Sequence, residues 1–274
     1  MPHPMKPNEV FRVSLKLEDV SAIVFWTKYP KTLLPHLDEM KSRGYRFIFL
    51  YTLTPYGPPL EGNLAPLDER VQMFRELSVK IGAERIIWRY DPIVLSNQTD
   101  KAFHLANFEN LAKLLEGFTR RVIVSFLDYY SFVTRRLADL RKYGFEVLSA
   151  EEIPPQASAL AEGLCKIALQ HGLEIQSCAE ERDLRKGGIA PGSCIDGLLL
   201  HRLFGDLFPL KKDPGQRKNC LCTISKDIGV YDTCGHQCVY CYATRNLDIA
   251  ARRCASHNPS APSLVGDIPS HHIS

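Results

Sequence analysis

Three cysteines, Cys234, Cys238 and Cys241, stand in the run Thr-Cys-Gly-His-Gln-Cys-Val-Tyr-Cys-Tyr, a C-x3-C-x2-C spacing. That spacing gathers three thiolates on one tight loop. A four-iron cluster is usually held by four cysteines. Three closely spaced ones therefore predict a cluster with one iron kept open for an exogenous ligand. Zinc is the competing metal, since thiolates suit both. It wants four closed ligands, commonly as paired C-x2-C units, which Cys220, Cys222, Cys238 and Cys241 could supply, with His236 as a substitute. His236 is otherwise read as a loop residue near the metal.

Cys220 and Cys222 form a C-x-C pair shortly before this loop, while Cys178 and Cys194 lie in irregular, glycine-rich sequence upstream. These four are expected to hold a second, fully ligated four-iron cluster or to complete other metal sites. The bland alternative is that Cys178 and Cys194 are small buried apolar residues. Cys165 falls at an apolar phase of a helical stretch and reads as core, and Cys254, after two arginines, is not expected to be a ligand.

The elements that must position these residues follow a β/α rhythm. Ala22–Thr27, Phe47–Leu53, Arg85–Arg89 and Arg121–Phe126 read as buried parallel strands, with Phe145–Leu148, Leu173–Gln176 and Ile228–Tyr231 as further candidates. Helical patterns cover Lys31–Arg43, Leu67–Ile81, Asp100–Glu116, Phe132–Lys142, Gln156–His171 and Ile195–Phe204, several of them stopping at a glycine. The fold class is α/β: a parallel (β/α) partial or circularly permuted TIM-type barrel with a C-terminal iron–sulfur cysteine loop. A doubly wound open sheet is the runner-up. Residues 8–176 carry the barrel-like units, 177–255 complete the same domain as a glycine- and cysteine-rich cluster-binding region, and 256–274 are expected to be a disordered tail.

Barrel enzymes build their sites at the carboxyl ends of strands. Lys28, Arg89, Asp91, Asp128 and Glu180 all follow strands closely and would converge on one mouth. Lys28 and Arg89 suit a carboxylate, while Asp91 and Glu180 suit the ribose hydroxyls or amino group of a nucleoside. Trp26 and Tyr56 are candidates for stacking on adenine, against the commoner role of packing. For each charged residue the plain alternative is a strand-end cap paired with its neighbours.

Composition narrows the class. The 274 residues suffice for one large domain with a sizeable core. A net charge of +3 permits a polyanionic partner without requiring one. No run approaches the roughly 20 apolar residues of a membrane span, so the expected compartment is the cytoplasm, where nine cysteines stay reduced. No G-x-G-x-x-G or Walker loop offers a phosphate cradle.

In spacing, and in Tyr240 just before the last thiol, the cysteine loop resembles that of the radical S-adenosylmethionine (SAM) enzymes. The resemblance implies a [4Fe-4S] cluster whose unique iron is chelated by SAM, reductive cleavage to a 5′-deoxyadenosyl radical, and a low-potential electron donor such as ferredoxin or flavodoxin. It favours iron over zinc. Over residues 8–246 the chain also resembles an uncharacterised domain-of-unknown-function family whose members end in such a cysteine cluster. That likeness rests on Val24-Phe25-Trp26-Thr27-Lys28, Trp88-Arg89-Tyr90-Asp91-Pro92, Cys178-Ala179-Glu180, Ser193-Cys194-Ile195-Asp196 and the stretch from Lys212 to Ala243. Members usually carry a further amino-terminal strand with a Ser-Arg-Arg-Thr-Asp run, which this sequence is expected to lack. The family implies architecture and cofactor and leaves the substrate open. Two rivals remain: a non-enzymatic iron–sulfur redox protein, and a zinc-stabilised nucleic-acid-binding protein using Lys211, Lys212, Arg217, Lys218, Arg245, Arg252 and Arg253. A radical enzyme acting on nucleic acid would combine the two.

Overall fold

The structure, a computed structural model, describes residues 2–3, 6–10, 13–205, 208–261 and 263–265. Strands β1 (Pro2–His3) and β2 (Lys6–Val10) pair as a small antiparallel ribbon. The main sheet contains β3 (Ile23–Thr27), β4 (Phe47–Thr52), β5 (Ile86–Ile93), β6 (Arg121–Phe126), β7 (Glu174–Cys178) and β8 (Ala190–Gly192). All neighbouring pairs are parallel and the spatial order is the sequence order, with β3 and β8 as the two edges. A doubly wound sheet reverses its strand order at a switch point. This order never reverses, which overturns the runner-up expectation.

The helices are α1 (Leu37–Ser42), α2 (Leu67–Ile81), α3 (Lys101–Leu114), α4 (Ser131–Ala138), α5 (Pro154–Gln170), α6 (Gly197–Phe204) and α7 (Leu247–Ala255). Asp100 caps α3 by accepting from the Phe103 N–H at 2.8 Å. Gly82, at φ 96°, ends α2 in a conformation that a side chain would strain.

Runs such as Phe-Ile-Phe-Leu-Tyr-Thr are apolar throughout because both faces of the sheet are covered. Phe47, Phe49, Tyr51, Trp88, Tyr90, Val122 and Val124 pack against α2, α3 and α5. On the opposite face Ile48, Leu50, Ile87 and Ile123 meet Leu200 of α6, Phe208, Cys194, Cys220 and Cys222. The chain beyond β8 thus folds back over the second face, and it brings cysteines with it.

Several expectations need correction. Phe145–Leu148 is no strand: Val147 makes an isolated bridge to Ser96, and β6 takes β7 as its neighbour. Ile228–Tyr231 is irregular, because the Asp227 carboxylate turns the chain by accepting from the Gly229 N–H at 2.7 Å. The helix expected over Lys31–Arg43 shortens to α1 behind a 3-10 turn at Leu34–His36, where Pro35 cannot donate to a longer helix. β8 and α7 were not foreseen. Of the segment expected to be a disordered tail, residues 262 and 266–274 lie outside the described residues. Among the described residues no helix is long and apolar enough to cross a membrane.

Candidate functional site

With six parallel strands, every carboxyl end opens on the same side of the sheet. Lys28 follows β3 directly, Thr54 and Glu61 lie in the connection after β4, Arg89 and Asp91 occupy the end of β5, Ser125 lies near the end of β6, and Cys178 closes β7.

The cysteine loop docks here through a buried carboxylate. Glu61, with a fully buried side chain, accepts from Lys28 Nζ at 2.8 Å, Thr54 Oγ1 at 2.8 Å and Arg70 Nη1 at 3.4 Å, and from the Tyr240 hydroxyl. Lys28 Nζ also lies 5.4 Å from the centre of the Tyr240 ring. Backbone contacts add to this grip. Cys238 bridges to Glu61, Val239 N–H donates to the Leu60 carbonyl at 3.0 Å, and Asn63 N–H donates to the His236 carbonyl at 3.1 Å. From the other side Arg136 of α4 donates to the carbonyls of Thr244 (2.9 Å) and Cys241 (2.6 Å). Within the loop Gln237 takes a left-handed conformation, φ 56°, which tightens the turn between Cys234 and Cys238. Cys238 is buried, Cys241 half-buried and Cys234 exposed. Burial pushes the Cys238 thiol up to about 12. His236 is lowered by its own burial.

The second set of thiols meets on the face of the sheet opposite α2, α3 and α5. Cys194 Sγ donates to Cys178 Sγ at 2.7 Å, and the Ile195 N–H donates to Cys222 Sγ at 3.3 Å. Arg89 reaches into this group, with Nη1 3.3 Å from Cys194 Sγ. Its other terminal nitrogen pairs with Asp91, which also accepts from the Ser125 hydroxyl. The guanidinium lies 5.6 Å from the Trp26 ring centre, and its Nε is buried without a partner among the described residues. Burial opposes the charge on Arg89, but Asp91 and the thiols of Cys194 and Cys178 outweigh it and raise the pKa. Hydrogen bonds from Cys194 lower the pKa of Cys178 and Cys222, and the same bonds raise that of Cys194. Burial raises Cys220 to about 11.

The structure therefore brings Lys28 and Tyr240 together beside Cys238, and Arg89 and Asp91 together beside Cys178 and Cys194. Glu180 is differently engaged: its oxygens accept from the Phe126 N–H at 2.9 Å and from Arg182 Nη1 at 2.8 Å, so it braces the end of β6. Asp128 pairs with Arg217 at 2.9 Å near the surface. Tyr56 is a packing residue, donating to the Pro92 carbonyl at 3.0 Å and accepting from the Val94 N–H at 2.9 Å, whereas Trp26 is half exposed. Cys165 packs against the core and Cys254 is exposed. Glu61 and Arg70 escaped sequence reasoning. Glu61 belongs to no motif, but Arg70 sits at a buried phase of α2 among Val71, Met73, Phe74 and Leu77, a place where an arginine needs a buried partner.

Among the described residues, no group of three or more His, Cys, Asp or Glu side chains closes on a point as a single-ion site would. A four-iron cluster makes a different demand, because each thiolate binds its own iron and the sulfurs stand apart around it. The loop carries its three cysteines on one turn, held by Glu61 on one side and Arg136 on the other.

A family model described as a domain of unknown function (DUF1848) matches residues 1–243, and the chain belongs to that family. No curated protein and no solved structure matches it.

Proposed function

We propose that this member of the DUF1848 family is a radical-SAM-like iron–sulfur enzyme, with Cys234, Cys238 and Cys241 holding a [4Fe-4S] cluster whose open iron takes SAM. The observation that carries the reading is the seating of the C-x3-C-x2-C loop at the carboxyl ends of the parallel strands through Tyr240, Glu61 and Lys28. That is where a (β/α) scaffold presents its chemistry, and the six strands in sequence order suit a partial or permuted barrel. A reduced cluster held by Cys234, Cys238 and Cys241 would supply one electron, from a cytoplasmic ferredoxin- or flavodoxin-type donor, to split the sulfonium C–S bond of SAM into methionine and a 5′-deoxyadenosyl radical.

The chain's own residues have defined tasks in this scheme. Lys28 spends two of its three protons on Thr54 and Glu61, leaving one for the carboxylate of SAM. Arg89 keeps an Nε–H unpartnered among the described residues, and Asp91 beside it offers acceptor oxygens to an amino group or a ribose. Trp26, half exposed above Arg89, offers a flat apolar surface to a purine. Glu61 and Arg136 are positioning residues that hold the loop. The test is release of 5′-deoxyadenosine from SAM by anaerobically reconstituted protein with a low-potential reductant. Release that requires both SAM and reductant supports the proposal; no release by protein carrying a full cluster would overturn it.

A further inference from the structure

We propose that Cys178, Cys194, Cys220 and Cys222 form a second iron–sulfur site, holding a cluster ligated entirely by protein thiolates against the face of the sheet opposite α2, α3 and α5. The four come from three separate stretches of chain: the end of β7, the loop after β8, and the C-x-C segment that folds back across the sheet. Parallel pairing of β7 and β8 sets Cys178 opposite Gly192 and so brings Cys194, two residues on, beside it. Cys222 joins them under the Ile195 N–H, and Cys220 is buried next to it.

Ordinary core packing explains one buried cysteine. It does not explain why three of the nine buried residues in this apolar cluster are cysteines with a fourth packed against them. Nor does it explain why an arginine is directed at them. The Arg89 guanidinium, 15% exposed, has its charge offset by Asp91 through one terminal nitrogen, and its other terminal nitrogen still needs an acceptor. Cys194 Sγ at 3.3 Å is the other atom it addresses, a contact that gains strength when the sulfur is a thiolate. Four thiolates on a cluster leave net negative charge, which Arg89 is placed to offset. Ile48, Leu50, Ile87, Ile123 and Leu200 wall the site off from water. Thiolates alone suit zinc as well as a cluster, and counting the metals separates the two. Cluster binding requires Cys178 and Cys194, now in contact, to turn apart about their Cα–Cβ bonds.

The four ligands leave no iron open, so this site would carry electrons or shape the pocket beside Arg89 and would not bind SAM. It uses none of the loop cysteines and stands or falls separately from the proposed function. The experiment is anaerobic reconstitution with ferrous iron and sulfide of three proteins: the natural chain, a C194A/C222A variant and a C234A/C238A/C241A variant. Iron and sulfide are counted, and EPR spectra of the reduced proteins are recorded with and without SAM. About eight irons in the natural chain and about four in each variant are expected. The triple variant is expected to keep a cluster signal that SAM leaves unchanged, which tests the site even where the double variant fails to fold. A triple variant devoid of iron, a double variant with the iron content of the natural chain, or zinc in place of iron at the four thiols would each overturn the proposal. Loss of the SAM-shifted signal in the natural chain would instead count against the proposed function.

Discussion

Replacing Glu61 with glutamine should loosen the cysteine loop while leaving the sheet intact. Glu61 is the only acidic group that pairs with both Lys28 and Arg70 among the described residues. Their side chains are 14% and 2% exposed, so the substitution leaves two poorly solvated cations facing a neutral amide. Breaking a buried pair from one side costs about 3–5 kcal/mol. The lower end applies here, because Arg70 keeps the carbonyls of Ala65, Thr54 and Tyr56 as acceptors. We expect about 3 kcal/mol, read as a lower urea midpoint with an unchanged slope. Under native conditions, thiol-labelling should find Cys238 more reactive in E61Q, since its burial depends on the same docking. Y240F removes one hydrogen bond to a charged acceptor and should cost about 1.5–3 kcal/mol in the same assay. An E61Q protein within about 0.5 kcal/mol of the natural chain, with Cys238 labelling unchanged, would refute the view that Glu61 seats the loop.

His104 of α3 is fully buried, with Nδ1 2.8 Å from the Tyr90 hydroxyl and Nε2 3.0 Å from the Val94 carbonyl, and burial lowers it to about 4 from an ordinary value of 6.5. The unfolded chain therefore binds this proton first as pH falls, so the contribution is present above pH 6.5 and lost on descending to 4. The natural chain should lose about 3 kcal/mol more than H104Q over that interval; parallel stability curves would contradict the assignment. G187A should destabilise by about 1–3 kcal/mol, because an added Cβ would stand 2.7 Å from Ala161 Cβ and 2.8 Å from the Glu162 backbone nitrogen. A melting temperature equal to that of the natural chain would show that α5 yields there.

The sheet was most legible where burial on both faces leaves an uninterrupted apolar run. β6 and α2 lie where the sequence places them, and β4 differs by a single residue. β7, Glu-Ile-Gln-Ser-Cys, mixes polar and apolar residues, and the expected strand began one residue early and stopped two short. β8 is three residues long and includes a proline, so no pattern announces it. The site divides in the same way. Local spacing exposed the cysteine loop, and strand ends exposed Lys28, Arg89 and Asp91. Cysteine content grouped Cys178 with Cys194, and the register of β7 and β8 is what brings them into contact, whereas the grip of Glu61 on Tyr240 spans 179 residues. Contacts of that range leave no local signature.

The central claim, an open-iron cluster on Cys234, Cys238 and Cys241, is tested most directly by EPR of the anaerobically reconstituted, reduced protein titrated with SAM. A [4Fe-4S] signal that shifts on SAM addition, and that is missing from the C234A/C238A/C241A protein, is the expected result. A spectrum indifferent to SAM, or one unchanged in the triple variant, would contradict the account.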